Sequence, residues 1–514
     1  MSSQTTRTVS NTQTIARNSF WYGLELAFSI FGAIVVSIVV ARAIGPTRLG
    51  YFNYVLWLTT VTANMGSVGL PLTARKYMAE YLNRGEPGIA RAIYYFAIRL
   101  QALVATAVTA AGLALVFFWG DPSQRLVSAI LVLSMGPRVM GFLPSQANAA
   151  AELMKRNTQP AILAGALNLV LTLASVWFGW DLIGIASALT GCAALETVLK
   201  MRSVNQLLAG VETAAISPEL RKRMFSYSGQ ALALMVLNVV VWDKSDVVVL
   251  KAMNPDIQQV TFFTLAFNLT ERILTIPVAF GNSLGATMMA QYGRDESGVH
   301  QLAVTGARYT FLLAFPLLVG VACVSGPMVL LLYGHKYELL IPVMRIVTLL
   351  AVTKALMIPG MNLLQTVEKQ GFLIWTGCLA GALDIGLDFL LTPTLGARGA
   401  ALGNGIAQAA AMTAIWIRAK HLLKLDLRLA DFARIAVSGA VMAAVVTGIA
   451  RVVGGPAGLV AQVAGGVVVW VAMLRLTGAL DKTDGDRLEH LAKTLPASLR
   501  PLFRWTAGLV VAAR

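Results

Sequence analysis

Long apolar runs separated by short polar breaks fill almost the whole chain. About fourteen are long enough for membrane helices, starting near Phe20, Leu49, Arg91, Arg125, Gln159, Asp181, Phe225, Ile257, Val304, Ile341, Phe372, Gly396, Phe432 and Ala457. A helix needs roughly 20 apolar residues to cross the hydrocarbon core, so the pattern predicts an all-α polytopic membrane protein. Two of the runs share a sequence, LAGAL at Leu163 to Leu167 and again 216 residues later at Leu379 to Leu383. The match extends without gaps, LAGALNLVLTLA (Leu163 to Ala174) on LAGALDIGLDFL (Leu379 to Leu390). Such a duplication predicts two pseudo-symmetric six-helix lobes around a central cavity, a build common to secondary transporters, with spans 13 and 14 outside the repeat.

The polar breaks divide the chain further. Residues 1–18 form a polar N-terminal segment and 19–208 the first lobe, while 209–223, the longest polar break between the repeats, is the linker. The second lobe follows over 224–424, spans 13 and 14 over 425–478, and a tail over 479–514. Basic and apolar residues alternate in that tail, which predicts amphipathic helices on the anionic inner leaflet. Ser217-Pro218 reads as the cap and first turn of a short helix leading into the seventh span. Gly136-Pro137, Pro144, Pro277 and Pro359-Gly360 interrupt spans, either as packing kinks or as hinges.

Composition agrees: 57% of residues are hydrophobic and 13% charged, where a soluble domain carries about a quarter charged residues. The net charge of +16 comes from Lys and Arg scattered through short loops without stacking aromatics, which excludes a nucleic-acid surface. The cations gather on alternate loops, with Arg75, Lys76, Arg84 and Arg91, then Lys155 and Arg156, then Arg221, Lys222 and Arg223, then Arg418, Lys420 and Lys424. This positive-inside bias puts both termini in the cytoplasm. No signal peptide is expected, since no apolar core and cleavage site precede the first span. Cys192, Cys323 and Cys378 sit within apolar runs as small hydrophobes. The four histidines lack ligand spacing, and neither a phosphate loop nor a nucleophile motif occurs. The chain reads as no enzyme, with no cofactor and no metal site.

Ionisable residues at membrane depth carry the remaining information, because each costs about 2.5–3.5 kcal/mol at a helix centre and needs a partner or water. Arg138 and Lys354 occupy equivalent positions of the repeat near the middle of the fourth and tenth spans. Two such cations suit a substrate carrying phosphate, and Arg272 and Lys244 are further candidates for binding it. Glu271, Asp243, Asp246 and Glu25 are candidates for ion or proton coupling, since a desolvated carboxylate binds and releases a proton near neutral pH. Structural ion pairing, such as Asp243 with Arg272 or Glu271 with Arg272, is the alternative for each. Asp384 and Asp388 form a further i, i+4 pair in the eleventh span, and the same coupling reading and the same alternative apply to them.

The stretch Ala41-Arg42-Ala43-Ile44-Gly45-Pro46-Thr47-Arg48-Leu49-Gly50-Tyr51-Phe52-Asn53-Tyr54, after Asn18-Ser19-Phe20-Trp21, resembles the polysaccharide-transport family of Wzx-type flippases. That family belongs to the multidrug/oligosaccharidyl-lipid/polysaccharide exporter superfamily. The Asp243-Lys244-Ser245-Asp246 stretch and the Thr394 to Ala401 turn, TLGARGAA, are similar to the family as well. The resemblance implies a bacterial inner-membrane flippase that moves an undecaprenyl-pyrophosphate-linked glycan between leaflets by alternating access. Its partners would be that lipid-linked glycan and membrane lipids, with a polysaccharide polymerase and assembly proteins as candidates. The alternatives are a cation-coupled multidrug exporter of the same superfamily, or a lipid II flippase. The lipid II branch carries an Arg-Asp pair where this chain has Val36-Ser37, which disfavours the peptidoglycan precursor.

The charge bias yields a direct test of topology. A single cysteine at position 215 should be protected from an impermeant reagent in intact cells, and one at position 335 should be labelled. The reverse pattern would invert the predicted orientation.

Overall fold

The computed structural model describes residues 2–242, 245–292 and 296–480, and beyond these 484–486, 489, 500–501 and 508. Asp243, Lys244 and most of the predicted amphipathic tail lie outside the described residues. Every regular element among the described residues is a helix, as the backbone must be where no water can satisfy its polar groups. Among the described residues twelve helices are long and apolar enough to span a membrane, and a bent pair adds a thirteenth. The chain divides into two compact units, Met1–Ser245 and Asp246–Arg514.

The first unit holds α1 (Ser2–Ile44), α2 (Pro46–Gly66), α3 (Leu70–Asn83), α4 (Pro87–Trp119), α5 (Arg125–Leu133), α6 (Met135–Ala150), α7 (Lys155–Trp177), α8 (Asp181–Leu207) and α9 (Pro218–Trp242). The bent pair is α2 with α3, turned by 42° where Val68 and Gly69 take φ of 51° and 69°. A side chain on Gly69 would place its Cβ 2.4 Å from the Ser228 carbonyl oxygen of α9, so glycine is required there. Around this bend Tyr77, Met78, Ile93, Tyr94, Leu143, Val204 and Met224 form the unit's principal core. α9 begins at Pro218, and the Leu220 N–H donates to Ser217 Oγ at 3.2 Å, the cap read from the sequence. The short separate helix expected there is instead the first turns of one continuous 25-residue helix, since no proline follows Pro218 before Trp242. Glycine is tolerated within it.

The second unit holds α10 (Asp246–Met253), α11 (Gln258–Gln291), α12 (Glu296–Leu332), α13 (Leu340–Thr366), α14 (Gln370–Leu395), α15 (Ala397–Leu423), α16 (Leu429–Val452) and α17 (Gly455–Thr477). α13 packs on α11, α12 and α15, and α14 on α15. The duplication is visible in helix ends: α8 and α15 start and stop 216 residues apart. The halves differ at the fourth and tenth spans. α5 and α6 break at Ser134, three residues before Pro137, which therefore lies in the first turn of α6, where proline fits. α13 runs unbroken through Pro359.

α16 and α17 stand outside the repeat and pack against α12 through Val319, Val324, Met442 and Val446. Arg308 of α12, 8% exposed, bridges Asp431 of α16 at 3.3 Å and also Asp484.

The α14–α15 corner fixes the geometry of the site described next. Gly396 turns the chain at φ 57°, and a Cβ on Gly399 would lie 2.4 Å from the Leu391 carbonyl oxygen. Overpacking of this kind costs about 1–3 kcal/mol, and a backbone atom cannot move aside as a side chain can. Gly399→Val should therefore lower the thermal midpoint and the membrane yield of the purified protein. Gly386→Val, at a site with no atom within 4 Å, should leave both unchanged. Equal yields for the two variants would refute the tight-corner account.

Candidate functional site

The second unit brings three acids together. Asp246 opens α10, where a helix N-terminus favours an anion, while Asp384 and Asp388 lie one turn apart on the buried face of α14. One carboxylate oxygen from each lies within 4.8 Å of the others, and all three residues are 2% exposed or less. One oxygen of each has no hydrogen-bond partner among the described residues, nor does any Lys or Arg there make an ion pair with them. Gly403 of α15 allows the approach, since a Cβ at that position would sit 2.8 Å from Asp388 Oδ1.

Two unit charges 4 Å apart repel by about 4 kcal/mol at an effective dielectric of about 20. Three dry carboxylates so placed cannot all stay ionised without a cation or protons. Hard cations bind carboxylate oxygens at about 2.3–2.6 Å, so oxygens up to roughly 5 Å apart can share one ion. The donor set and spacing therefore fit a hard cation. From sequence alone no metal site is expected here, and all three acids are candidates for coupling without any sign that they meet.

An amide pair leads away from the acids. Asn404 Nδ2 donates to Asp246 Oδ2 at 3.3 Å, and Gln408 Nε2, one turn further along α15, donates to Asn404 Oδ1 at 2.6 Å. Both amides line a cleft with Phe263, Phe267, Glu271 and Lys354. In that cleft Lys354 Nζ of α13 pairs with Glu271 Oε1 of α11 at 2.6 Å and sits 5.4 Å from the Phe267 ring centre. Glu271 therefore pairs with Lys354, and not with Arg272 as the sequence alternative has it. Neighbouring helical residues point about 100° apart and do not face each other, so Glu271 reaches across to α13 instead. Arg272 is half-buried and makes no ion pair among the described residues.

The first unit treats its equivalent cation differently. Arg138 Nη1 of α6 donates to the neutral Thr60 Oγ1 of α2 at 2.9 Å, and its Nε has no partner among the described residues. No carboxylate there lies within ion-pair distance of it; Glu196 is taken by Lys200 at 2.5 Å. Glu25 accepts a hydrogen bond from Thr158 Oγ1 at 3.0 Å, linking α1 to α7. Asp243 and Lys244 lie outside the described residues, so their expected roles and the Asp243–Arg272 pair receive no structural account.

Sequence reasoning left Asp384 and Asp388 without a partner and missed Asn404 and Gln408. One signal was available, because the repeat aligns Asp384 and Asp388 with Asn168 and Thr172. Acids in one copy against neutral residues in the other mark a function confined to one half.

Among solved structures, the lipid II flippase MurJ in an inward closed conformation has the same fold, with a TM-score of 0.71 at 12% identity over 90% of this chain and 98% of that one. An inward-facing MATE multidrug resistance transporter of the MOP superfamily gives 0.64 at 13% identity, over 76% of this chain and 94% of that one. The Vibrio cholerae MATE transporter VcmN gives 0.58 at 14% identity, over 82% and 98%. No curated protein matches the chain by sequence. Residues 39–342, more than half of the chain, match the family described as polysaccharide biosynthesis protein, and the chain belongs to that family.

Proposed function

We propose that this protein is a flippase that carries an undecaprenyl-pyrophosphate-linked oligosaccharide, the repeat unit of a polysaccharide, O-antigen or exopolysaccharide, across the bacterial inner membrane by alternating access. Cation binding at Asp246, Asp384 and Asp388 drives the cycle, and no bond is made or broken. The observation that carries the substrate class is Arg138, a mid-span guanidinium held by a neutral threonine with no carboxylate in ion-pair range among the described residues. A cation at that depth needs compensation, and a phosphoryl group supplies it with bidentate geometry. Lys354, at the equivalent position of the repeat, keeps its charge ready against Glu271 and exchanges that partner for a phosphoryl group. Membership of the polysaccharide biosynthesis family supports a glycan as the cargo. The fold shared with MurJ, a lipid II flippase, supports a lipid carrier.

The acidic cluster and the fold shared with multidrug transporters favour a second reading, a cation-coupled drug exporter. The two readings part at Arg138. Removing a charge-assisted hydrogen bond costs about 1.5–3 kcal/mol, roughly a 10- to 150-fold loss of affinity. Arg138→Gln should weaken binding of a lipid pyrophosphate by about that factor and abolish glycan export, with the protein still folded and inserted. Unimpaired export by the Arg138→Gln, Lys354→Gln double variant would remove the phosphate reading and leave the drug exporter.

Coupling is tested separately in proteoliposomes carrying an imposed sodium gradient. Wild-type flipping should accelerate with the gradient, and Asp388→Asn should respond by less than about a tenth of the wild-type increment. A wild-type rate indifferent to sodium would end cation coupling at this cluster.

A further inference from the structure

We infer that the Asn404–Gln408 amide pair is a switch that makes cation binding at the three aspartates and anion binding at Lys354 cooperative. This rests on the functional reading above and names the residues that join its two sites. The acids and the Lys354–Glu271 pair are not in hydrogen-bonding contact; what lies between them is one turn of α15. Asn404 faces the acids with its Nδ2, 3.3 Å from Asp246 Oδ2, and receives Gln408 Nε2 on its Oδ1 at 2.6 Å. Gln408 in turn lines the cleft that contains Lys354 and Glu271. That cleft has room for one water. In this switch the glutamine amide reaches the ion pair across that cleft.

Amide chemistry makes this pair bistable. A carboxamide carries donors on one side and an acceptor on the other. With Asp246 bare, Asn404 must present its NH₂ to the carboxylate, which leaves its oxygen to Gln408. A cation on Asp246 reverses the demand: Asn404 turns its oxygen toward the ion, and its NH₂ now faces Gln408. Gln408 then turns as well, offering its oxygen to Asn404 and its NH₂ to the cleft. There the NH₂ donates to Glu271, directly or through the single water, and Glu271 loosens its hold on Lys354. The freed ammonium takes the substrate phosphate. By linkage the effect is reciprocal, so phosphate on Lys354 tightens the cation site by the same factor. The first unit has no such line, because the repeat places Ala188 and Cys192 at the positions of Asn404 and Gln408. Asn404 and Gln408 are positioning residues in this scheme, acting through Asp246 and Glu271.

The test measures affinities of purified protein for two probes, sodium ion and inorganic pyrophosphate, each titrated with and without a saturating amount of the other at constant ionic strength. Wild type should bind pyrophosphate about tenfold tighter with sodium present, within the usual range of coupling between sites. Gln408→Met, of similar volume but without the amide, should bind each probe alone within about threefold of wild type while the coupling factor falls to one. Glu271→Gln, at a residue whose side chain is 39% exposed and so tolerant of change, removes the receiving end. It should abolish the coupling with sodium affinity retained, whether or not the methionine variant folds. Coupling of wild-type size in either variant, or independent binding of the two probes in wild type, overturns the switch. Failure of wild type to bind either probe overturns the functional reading itself, a separate and distinguishable result.

Discussion

Three carboxylates within 4.8 Å of one another, at the meeting of α10 and α14, set the terms for the second unit. Their mutual repulsion in a dry setting amounts to several kcal/mol, comparable with the whole folding stability of an ordinary domain. Such a cluster persists only if neighbouring packing holds it together and something positive visits it. The packing is identifiable. Gly399 lets the start of α15 lie against the Leu391 carbonyl, and Gly403 lets the helix pass Asp388 with no Cβ between them. Close helix approach through small residues is how membrane helices gain contact energy when lipid offers no hydrophobic drive. In this protein the same approach holds a charged site closed.

The duplication gives both halves one scaffold and different chemistry. α8 and α15 share length and register, and Arg138 and Lys354 hold equivalent places. Yet the first copy sets its cation against a threonine and the second against a glutamate. The first copy likewise has Asn168 and Thr172 where the second has Asp384 and Asp388. On the function proposed above, the first half's arginine attracts the anionic cargo and the second half's acids attract the driving ion, which is the use of this asymmetry. Divergence at a few polar positions supplies it while α8 and α15 keep the same length and register.

The helices beyond the repeat add a different element. Arg308 is almost wholly buried and satisfies two carboxylates from distant parts of the chain, one on α16 and one at Asp484. Replacing one partner of a buried pair leaves an uncompensated charge, so this clamp ties α16 and the segment after α17 to α12. The apolar contacts of Val319 and Met442 continue the same interface. α16 and α17 are therefore integral to the second unit.

The sequence by itself determined the all-helical membrane class, the position of the spans and the duplication, because lipid solvation forces apolar runs into helices whatever their neighbours. The cap at Ser217 and the tight corner at Gly399 were equally legible, since both depend on atoms close in sequence. The fourth span breaks at Ser134, three residues before its proline, so that Pro137 falls in the first turn of α6. Which charges meet was decided by the tertiary structure alone. Glu271 was legible as a mid-depth acid, but its partner is Lys354, 83 residues away. Asp246 joins Asp384 and Asp388 only after more than a hundred residues of intervening helices are packed. Periodicity states which face of a helix a residue occupies, and the pairing of faces is set by how helices from distant segments dock.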